Sequence, residues 1–333
     1  MNRLLGYILL TLIVVSCGTP SGQFKIEGRF KNFNQGEFYI YSSDDTQSQL
    51  DTIHVADGRF AYTTYLDDTV TFQLVFPNFS GVPVFAMSGA SVTINGDASH
   101  LKEIEITGTD DNELMTQFRL STSELTPPET LVAAENFIKD HPESRISLYM
   151  LDHYFILNSN ADYAKASELL KLIKETAPDN RQLKLLDRQL ESLQSTMPKG
   201  KLPRFSATDM KGRQVSNAQL NAELNVIYLW ATWNYDSQNM QRQLRSFKKD
   251  YGSRLSLLGI SIDARRHDCE RTVDRDSISW STDNDGRMWQ TPLLSKLGLA
   301  ELPGNIVTDR SGRIVARNLS TQELRDKIKA TLK

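Results

Sequence analysis

The sequence predicts a multidomain α+β protein: an N-terminal antiparallel β-sandwich, then a helical spacer, then a C-terminal α/β domain. Three observations carry this prediction. Short alternating apolar segments occupy residues 24–106, segments with helical periodicity and proline breaks occupy residues 112–194, and strand-like and helix-like segments alternate after residue 202. A chain of 333 residues is also long enough for about two domains.

The composition is that of an ordinary globular protein. Hydrophobic residues make up 39% of the chain and charged residues 24%. The formal net charge is -3 and the isoelectric point is near 6.0, so the charge gives no basis for binding nucleic acid. The five histidines show no paired spacing of the kind that metal sites use. We therefore expect no nucleic-acid partner, no metal and no cofactor.

The N-terminus has the pattern of a secretion signal. Arg3 provides the positive start, and residues 4–15 form an apolar stretch that is too short to span a bilayer as a mature helix. These residues alone fit an ordinary secretory signal, a short buried helix or the signal of a lipidated protein.

The small residues before a cysteine, in Val14-Val15-Ser16-Cys17, resemble the lipobox of bacterial lipoproteins. This resemblance implies that residues 1–16 are removed, that Cys17 becomes a lipidated first residue, and that residues 17–23 form a tether. It also implies contact with a membrane through acyl chains, in an oxidising bacterial envelope. Because Gly18 rather than an aspartate follows Cys17, we expect the outer membrane, with the protein facing the periplasm.

Residues 24–110 are predicted to form the all-β domain, because short alternating segments follow one another with Gly, Asn and Asp between them. Asp57-Gly58 between two such segments predicts a hairpin. The predicted strands cover residues 24–27, 37–41, 53–55, 59–62, 71–76, 82–87, 91–94 and 103–106. Strands of this length and spacing are typical of a β-sandwich or barrel.

Three short motifs of this region, Ile26-Glu27-Gly28, Asp57-Gly58-Arg59-Phe60 and the segment 108–113, resemble an all-β domain of unknown function that occurs in envelope lipoproteins. The region is also rich in aromatic residues, which either form a ligand-binding face or pack on the two sides of a sandwich. They include Phe33, Phe38, Tyr39, Tyr41, Phe76 and Phe79.

Residues 111–197 are predicted to form a helical spacer. Helices are expected at 112–120, 131–138, 145–157, 161–176 and 180–194, separated by proline-containing breaks. In the last of them, Leu183, Leu186, Leu190 and Leu193 form one apolar edge. No residue pattern recurs at the period of a tetratricopeptide repeat. The spacer is also a candidate contact between two copies of the chain.

The C-terminal domain, residues 198–333, is organised around a strand-to-helix turn. The apolar run 226–229 predicts a buried strand, and Met240, Leu244, Phe247 and Tyr251 share one face of a helix. Between them lies Trp230-Ala231-Thr232-Trp233-Asn234-Tyr235-Asp236-Ser237, in which Asp236 or Ser237 can cap the helix. This layout resembles the active-site turn of thioredoxin-like thiol-disulfide oxidoreductases of the TlpA and ResA kind, which reads Trp-Cys-x-x-Cys.

Two other segments extend the resemblance. Residues 202–212 resemble the Pro-x-Phe entry and Asp-x-x-Gly hairpin of TlpA-like domains. Residues 302–316 resemble the segment that carries a cis-proline facing the active-site turn, followed by a strand, an Asp-x-x-Gly turn and a final strand. The resemblance therefore implies a cis peptide bond before Pro303.

The turn departs from the family pattern because Asn234 and Ser237 stand at the two cysteine positions. Thiol-disulfide exchange needs a thiolate to attack and a second sulfur to resolve the mixed disulfide. We therefore expect a redox-inactive domain with no catalytic residues. Trp233, Tyr235 and Pro303 are the candidate groove for an extended peptide of an envelope partner, with core packing alone as the alternative role of the tryptophans.

Cys269 is the second cysteine of the chain. Within the charged segment 263–271 it is either a lone thiol activated by neighbouring Arg or His, or an incidental cysteine on a helix. The first interpretation gives the alternative function, a family member with residual or Cys269-dependent redox activity. Asp283-Asn284-Asp285-Gly286 lacks the other ligand positions of a calcium loop, so we expect a turn there.

Overall fold

The computed structural model describes residues 20, 22–42, 50–158, 161–176, 181–194 and 197–333. The predicted signal segment 1–16 and the predicted lipidation site Cys17 lie outside the described residues. In the part of the chain that is described, no helix has the length and apolar character needed to cross a membrane.

The N-terminal region is an eight-stranded sheet within the described residues. Its strands are β1 Gln23–Lys31, β2 Gln35–Ser42, β3 Asp51–Ala56, β4 Arg59–Tyr65, β5 Val70–Val75, β6 Gly81–Ala86, β7 Ser91–Asp97 and β8 Glu105–Thr107. Their order across the sheet is β6-β5-β2-β3-β4-β1-β7-β8. The hairpin at Asp57-Gly58 is confirmed, since β3 and β4 pair antiparallel across that turn. The predicted strands are also found, except that the last one begins at Glu105 because residues 101–103 form a short 3-10 helix.

The sheet curls over a single apolar core. Strands β1 and β5 lie four positions apart, which in a flat sheet separates them by about 19 Å at about 4.8 Å per strand. Yet the rings of Phe24 and Phe72 lie 6.2 Å apart, and those of Phe30 and Phe76 lie 5.6 Å apart. The predicted sandwich of antiparallel strands is therefore not confirmed in detail, because the strands share one hydrogen-bonded sheet and β1 pairs parallel with β7.

Helices follow the sheet and pack on one another around a second apolar core. They are α1 Asp110–Ser121, α2 Pro127–Asp140, α3 Arg145–Met150, α4 Tyr163–Thr176 and α5 Arg181–Gln194, and α3 continues as a π-helical segment, Leu151–Ile156. The four leucines predicted as the apolar edge of α5 are buried in this core. Asn112 ties α1 to β6, because its side chain accepts a hydrogen bond from the Phe85 amide at 2.9 Å and donates one to the Phe85 carbonyl at 2.8 Å.

The C-terminal region has a five-stranded sheet with helices on both faces and a separate two-stranded hairpin. The strands of the whole region are β9 Ser206–Thr208, β10 Gln214–Ser216, β11 Leu224–Trp230, β12 Leu255–Ser261, β13 Thr282–Asp283, β14 Gly304–Asp309 and β15 Ile314–Arg317. Its helices are α6 Tyr235–Tyr251, α7 Arg266–Arg275, α8 Pro292–Leu297 and α9 Thr321–Thr331. Strands β9 and β10 form a separate hairpin, and the others take the order β13-β12-β11-β14-β15.

Strand β11 is central and every residue in it is buried. Its side chains point alternately to the two faces of the sheet. Ile227 and Leu229 pack with α8 on one face, whereas Tyr228 and Trp230 pack with α6, α7 and α9 on the other. Strand β11 pairs parallel with β12 and antiparallel with β14. The predicted α+β class is thus confirmed at the level of a β-rich N-terminal region, a helical region and a C-terminal α/β region.

Candidate functional site

The strand-to-helix turn runs from the end of β11 at Trp230 to the start of α6 at Tyr235. Asn234 is the N-cap of α6, and its side-chain oxygen accepts a hydrogen bond from the Ser237 amide at 2.8 Å. The expected cap at Asp236 or Ser237 is therefore wrong. Asn234 takes that role because the first helical residue comes directly after it, and an asparagine at this position satisfies an otherwise free amide.

Ser237 lies in the first turn of α6 and is fully buried. Its hydroxyl accepts a hydrogen bond from the Ala231 amide at 3.2 Å and donates to the Asn234 carbonyl at 2.9 Å. Asn234 and Ser237, the positions that the family resemblance aligns with cysteine, are thus both bonded to the backbone of the turn. An amide and a hydroxyl held in this way have no sulfur chemistry to offer.

A buried carboxylate supports the turn from the neighbouring strand. Asp263, just beyond the end of β12, accepts hydrogen bonds from the Thr232 amide at 3.0 Å and the Thr232 hydroxyl at 2.7 Å. The Ser261 hydroxyl donates to the other carboxylate oxygen at 2.8 Å. Burial raises the pKa of Asp263 above its ordinary value. Asp263 is a positioning residue that the sequence analysis missed, although two adjacent parallel strands ending together were a usable signal.

The predicted groove residues lie near this turn, with Trp233 and Pro303 partly buried and Tyr235 exposed. The Leu302–Pro303 peptide bond is cis, as the family resemblance implies, and Gly304 pairs with Leu229 of β11. Trp233 and Leu302 pack against the same apolar core. The Trp233 ring is covered by Phe79, whereas Tyr235 is 74% exposed.

Phe79 belongs to the N-terminal region, at the tip of the hairpin that joins β5 and β6. Its ring stacks on that of Trp233 with the centroids 3.8 Å apart and the planes 8° from parallel. In the sequence, Phe79 is only one of several aromatic residues of the N-terminal region. Its place at the turn was not predictable, because more than a hundred residues of chain separate it from Trp233.

A carboxylate of β13 lies in an unfavourable electrostatic environment. Burial raises the pKa of Asp283 to about 7, and the charges of Asp285 and Asp209 add to this effect. Burial acts in the same direction on Asp209, but hydrogen bonds from Arg213, Ser281 and the backbone outweigh it and lower its pKa to about 2. The expected turn at 283–286 is wrong at its start, because Asp283 pairs with Ile260 as a strand residue.

Cys269 lies on α7 with its side chain in the apolar core, and it is fully buried. Burial raises the pKa of the Cys269 thiol to about 12. A thiol of this kind is protonated and shielded, so it lacks both the thiolate and the access that exchange requires. The geometry accordingly corresponds to the incidental cysteine on a helix rather than to the reactive thiol.

An open cleft of about 540 Å³ lies beside the turn. It is lined by Thr232 and by one face of α7, which contributes Asp268, Arg271, Thr272 and Arg275. Both arginines are paired with neighbouring aspartates, Arg271 with Asp268 and Arg275 with Asp276. In the described residues, no group of three or more His, Cys, Asp or Glu side chains is arranged to hold a metal ion.

The C-terminal region thus joins a five-stranded sheet with helices on both faces to a strand-to-helix turn that is held by Asn234, Ser237 and Asp263. Residues 24–115 of the chain match the family model of a domain of unknown function, DUF4369. A comparison with curated proteins gives no match.

Solved structures similar to this chain are described as thiol-disulfide oxidoreductases. One, from Bacteroides fragilis, is 25% identical, with 39% of this chain and 98% of that chain covered and a TM-score of 0.36. Another, the thioredoxin domain of a thiol-disulfide oxidoreductase from Bacteroides vulgatus, is 20% identical, with 41% and 98% covered and a TM-score of 0.35. These names belong to the similar proteins, and each match covers less than half of this chain.

Proposed function

We propose that this protein is an envelope interaction protein whose thioredoxin-like domain does not exchange disulfides. The observation that carries the proposal is the hydrogen bonding of Asn234 and Ser237, which fills both cysteine positions with capping and backbone-bonded groups. The described free cysteine, Cys269, is buried and protonated at neutral pH. In this proposal the domain supports a binding surface instead of carrying out a reaction.

Attachment to a membrane through a lipidated Cys17 is part of the proposal, with the outer membrane and a periplasmic orientation as the location. Its support is the signal pattern and the Ser16-Cys17 junction in the sequence. We expect the native chain to incorporate a labelled fatty acid and a Cys17→Ser chain to incorporate none. Equal labelling of the two chains would contradict the anchor.

The partner in this proposal is an envelope protein or an extended peptide that binds at the face beside the turn, with Trp233, Tyr235 and Pro303 as the candidate contacts. Exposed Tyr235 with the Arg242 guanidinium 5.7 Å above its ring gives this face an aromatic and cationic character. Alternatively, the partner is a second copy of the chain, which binds through the helices of residues 111–197. The mass of the purified chain in solution distinguishes a dimer of this kind from a monomer.

The redox part of the proposal is tested by insulin reduction with a low concentration of dithiothreitol. We expect the full native chain to leave the uncatalysed rate unchanged, because the turn offers no thiolate. The matched control is Cys269→Ala, which should behave identically. A rate above background that Cys269→Ala abolishes would instead support the alternative, a Cys269-dependent oxidoreductase.

A further inference from the structure

The hairpin between β5 and β6 is built to present one aromatic side chain. Pro77, Asn78 and Ser80 at its tip are exposed, and Phe79 alone among them is partly buried. Phe79 has a φ of 62°, in the left-handed region where a bulky residue is uncommon. The Asn78 side chain accepts a hydrogen bond from the Ser80 amide at 3.0 Å, and the Phe79 amide donates to the Phe76 carbonyl at 2.7 Å. These bonds hold Phe79 in a backbone conformation that an aromatic residue does not favour.

The presented ring meets the turn of the thioredoxin-like domain. Phe79 and Trp233 stack at 3.8 Å, and Trp233 directly precedes the N-cap residue Asn234. The face of Trp233 that the sequence analysis assigned to an extended peptide is therefore in contact with a residue of the same chain.

Two further contacts join the same surfaces. Tyr41 and Val75 of the N-terminal sheet are buried together with Met288 of the C-terminal region, and Ala264 and Trp289 pack against them. Arg265, which follows Ala264, forms an ion pair with Glu37 of β2. Ala264 is also the residue after Asp263, the carboxylate that holds the turn. The contact between the two regions therefore includes Trp233 of the turn and the segment that follows β12.

We propose that Phe79 is a resident occupant of the Trp233 surface, so that the N-terminal sheet acts as a cover over the turn. This inference rests on the proposed function, because it assigns the regulation of the same binding face. A partner that stacks on the same face of the Trp233 ring must displace Phe79. The partner segment that best replaces the lost stack carries an exposed aromatic side chain of its own.

The cover is tested by the access of a reagent to a thiol placed at the turn. The full chain with Cys17→Ser and Asn234→Cys carries one accessible thiol, since Cys269 is buried. Its rate of labelling is measured with a large reagent, a polymer-linked maleimide, and with a small one, iodoacetamide. The ratio of the first rate to the second measures how freely the large reagent reaches the turn.

We expect Phe79→Asn to raise that ratio about tenfold, the change expected from losing one aromatic stack. Asparagine tolerates the left-handed region, so this variant keeps the hairpin while it removes the ring. Arg265→Gln should raise the ratio in the same direction but less, because it removes an exposed ion pair of the same contact. Tyr65→Ala, at a 76% exposed tyrosine of the same sheet, is the matched control and should change nothing.

An unchanged ratio in both Phe79→Asn and Phe79→Ala would overturn the cover. That outcome is separate from a failure of the proposed function, because labelling does not depend on any exchange activity. Conversely, a native chain that reduced insulin would end the proposed function and leave the labelling result standing.

Discussion

Replacing Asn234 and Ser237 together by cysteine should convert the turn into a dithiol that reduces a small disulfide about a hundredfold faster than the native chain. The physical reason is the position of residue 234. Its side chain already accepts the Ser237 amide at the start of α6, so a thiolate there receives the same donor and the positive end of the helix. Such positions lower the pKa of a thiol to about 3.5 to 7.5.

The measurement uses a small disulfide rather than insulin, because Phe79 covers the neighbouring Trp233 ring in the native arrangement. The matched control is Asn234→Cys alone, which can form a mixed disulfide but has no second thiol to resolve it. On oxidation, the double variant should lose two mass units as the disulfide closes, which requires Cα atoms within about 4.4 to 6.8 Å. A double variant that stays reduced under oxidant would contradict the assignment of residues 234 and 237 as the cysteine positions.

Local pattern was sufficient to predict most of the elements. The run 226–229 marked β11, the spacing of four, three and four residues from Met240 to Tyr251 marked α6, and both strands beside Asp57-Gly58 were recognised. These signals are local, because alternation and helical periodicity report which side of one element is buried. The cis peptide bond before Pro303 came from the resemblance to a known family rather than from periodicity.

Features that depend on distant parts of the chain escaped prediction. The parallel pairing of β1 with β7 and the curl of the sheet follow from how strands separated by many residues assemble. The same holds for the support of Thr232 by Asp263 and for the stack of Phe79 on Trp233. At residues 283–286, the polar composition favoured a turn, and pairing with β12 took Asp283 into the sheet instead.

The buried carboxylate of Asp283 should make stability depend on pH in a defined direction. Its pKa is about 7 in the folded chain, and about 3.8 is the ordinary value that applies when the chain is unfolded. Between these values the folded chain holds a proton that the unfolded chain has released, so the free energy of unfolding falls as pH rises. The full difference is on the order of 4 kcal/mol, at about 1.36 kcal/mol for each pH unit.

Asp283→Asn removes the charge and keeps the shape of the side chain. We expect it to raise the free energy of unfolding by about 3 to 4 kcal/mol at about pH 8 and by little at about pH 4, as measured by urea denaturation. The charges of Asp285 and Asp209 repel the native carboxylate, and the neutral amide removes that repulsion. Asp274→Asn, at an exposed aspartate of α7, is the control and should change the free energy by less than about 0.5 kcal/mol at either pH. A gain in stability that is equal at both pH values would contradict this prediction. It would show that asparagine packs better than aspartic acid at this position and that the charge of Asp283 does not destabilise the fold.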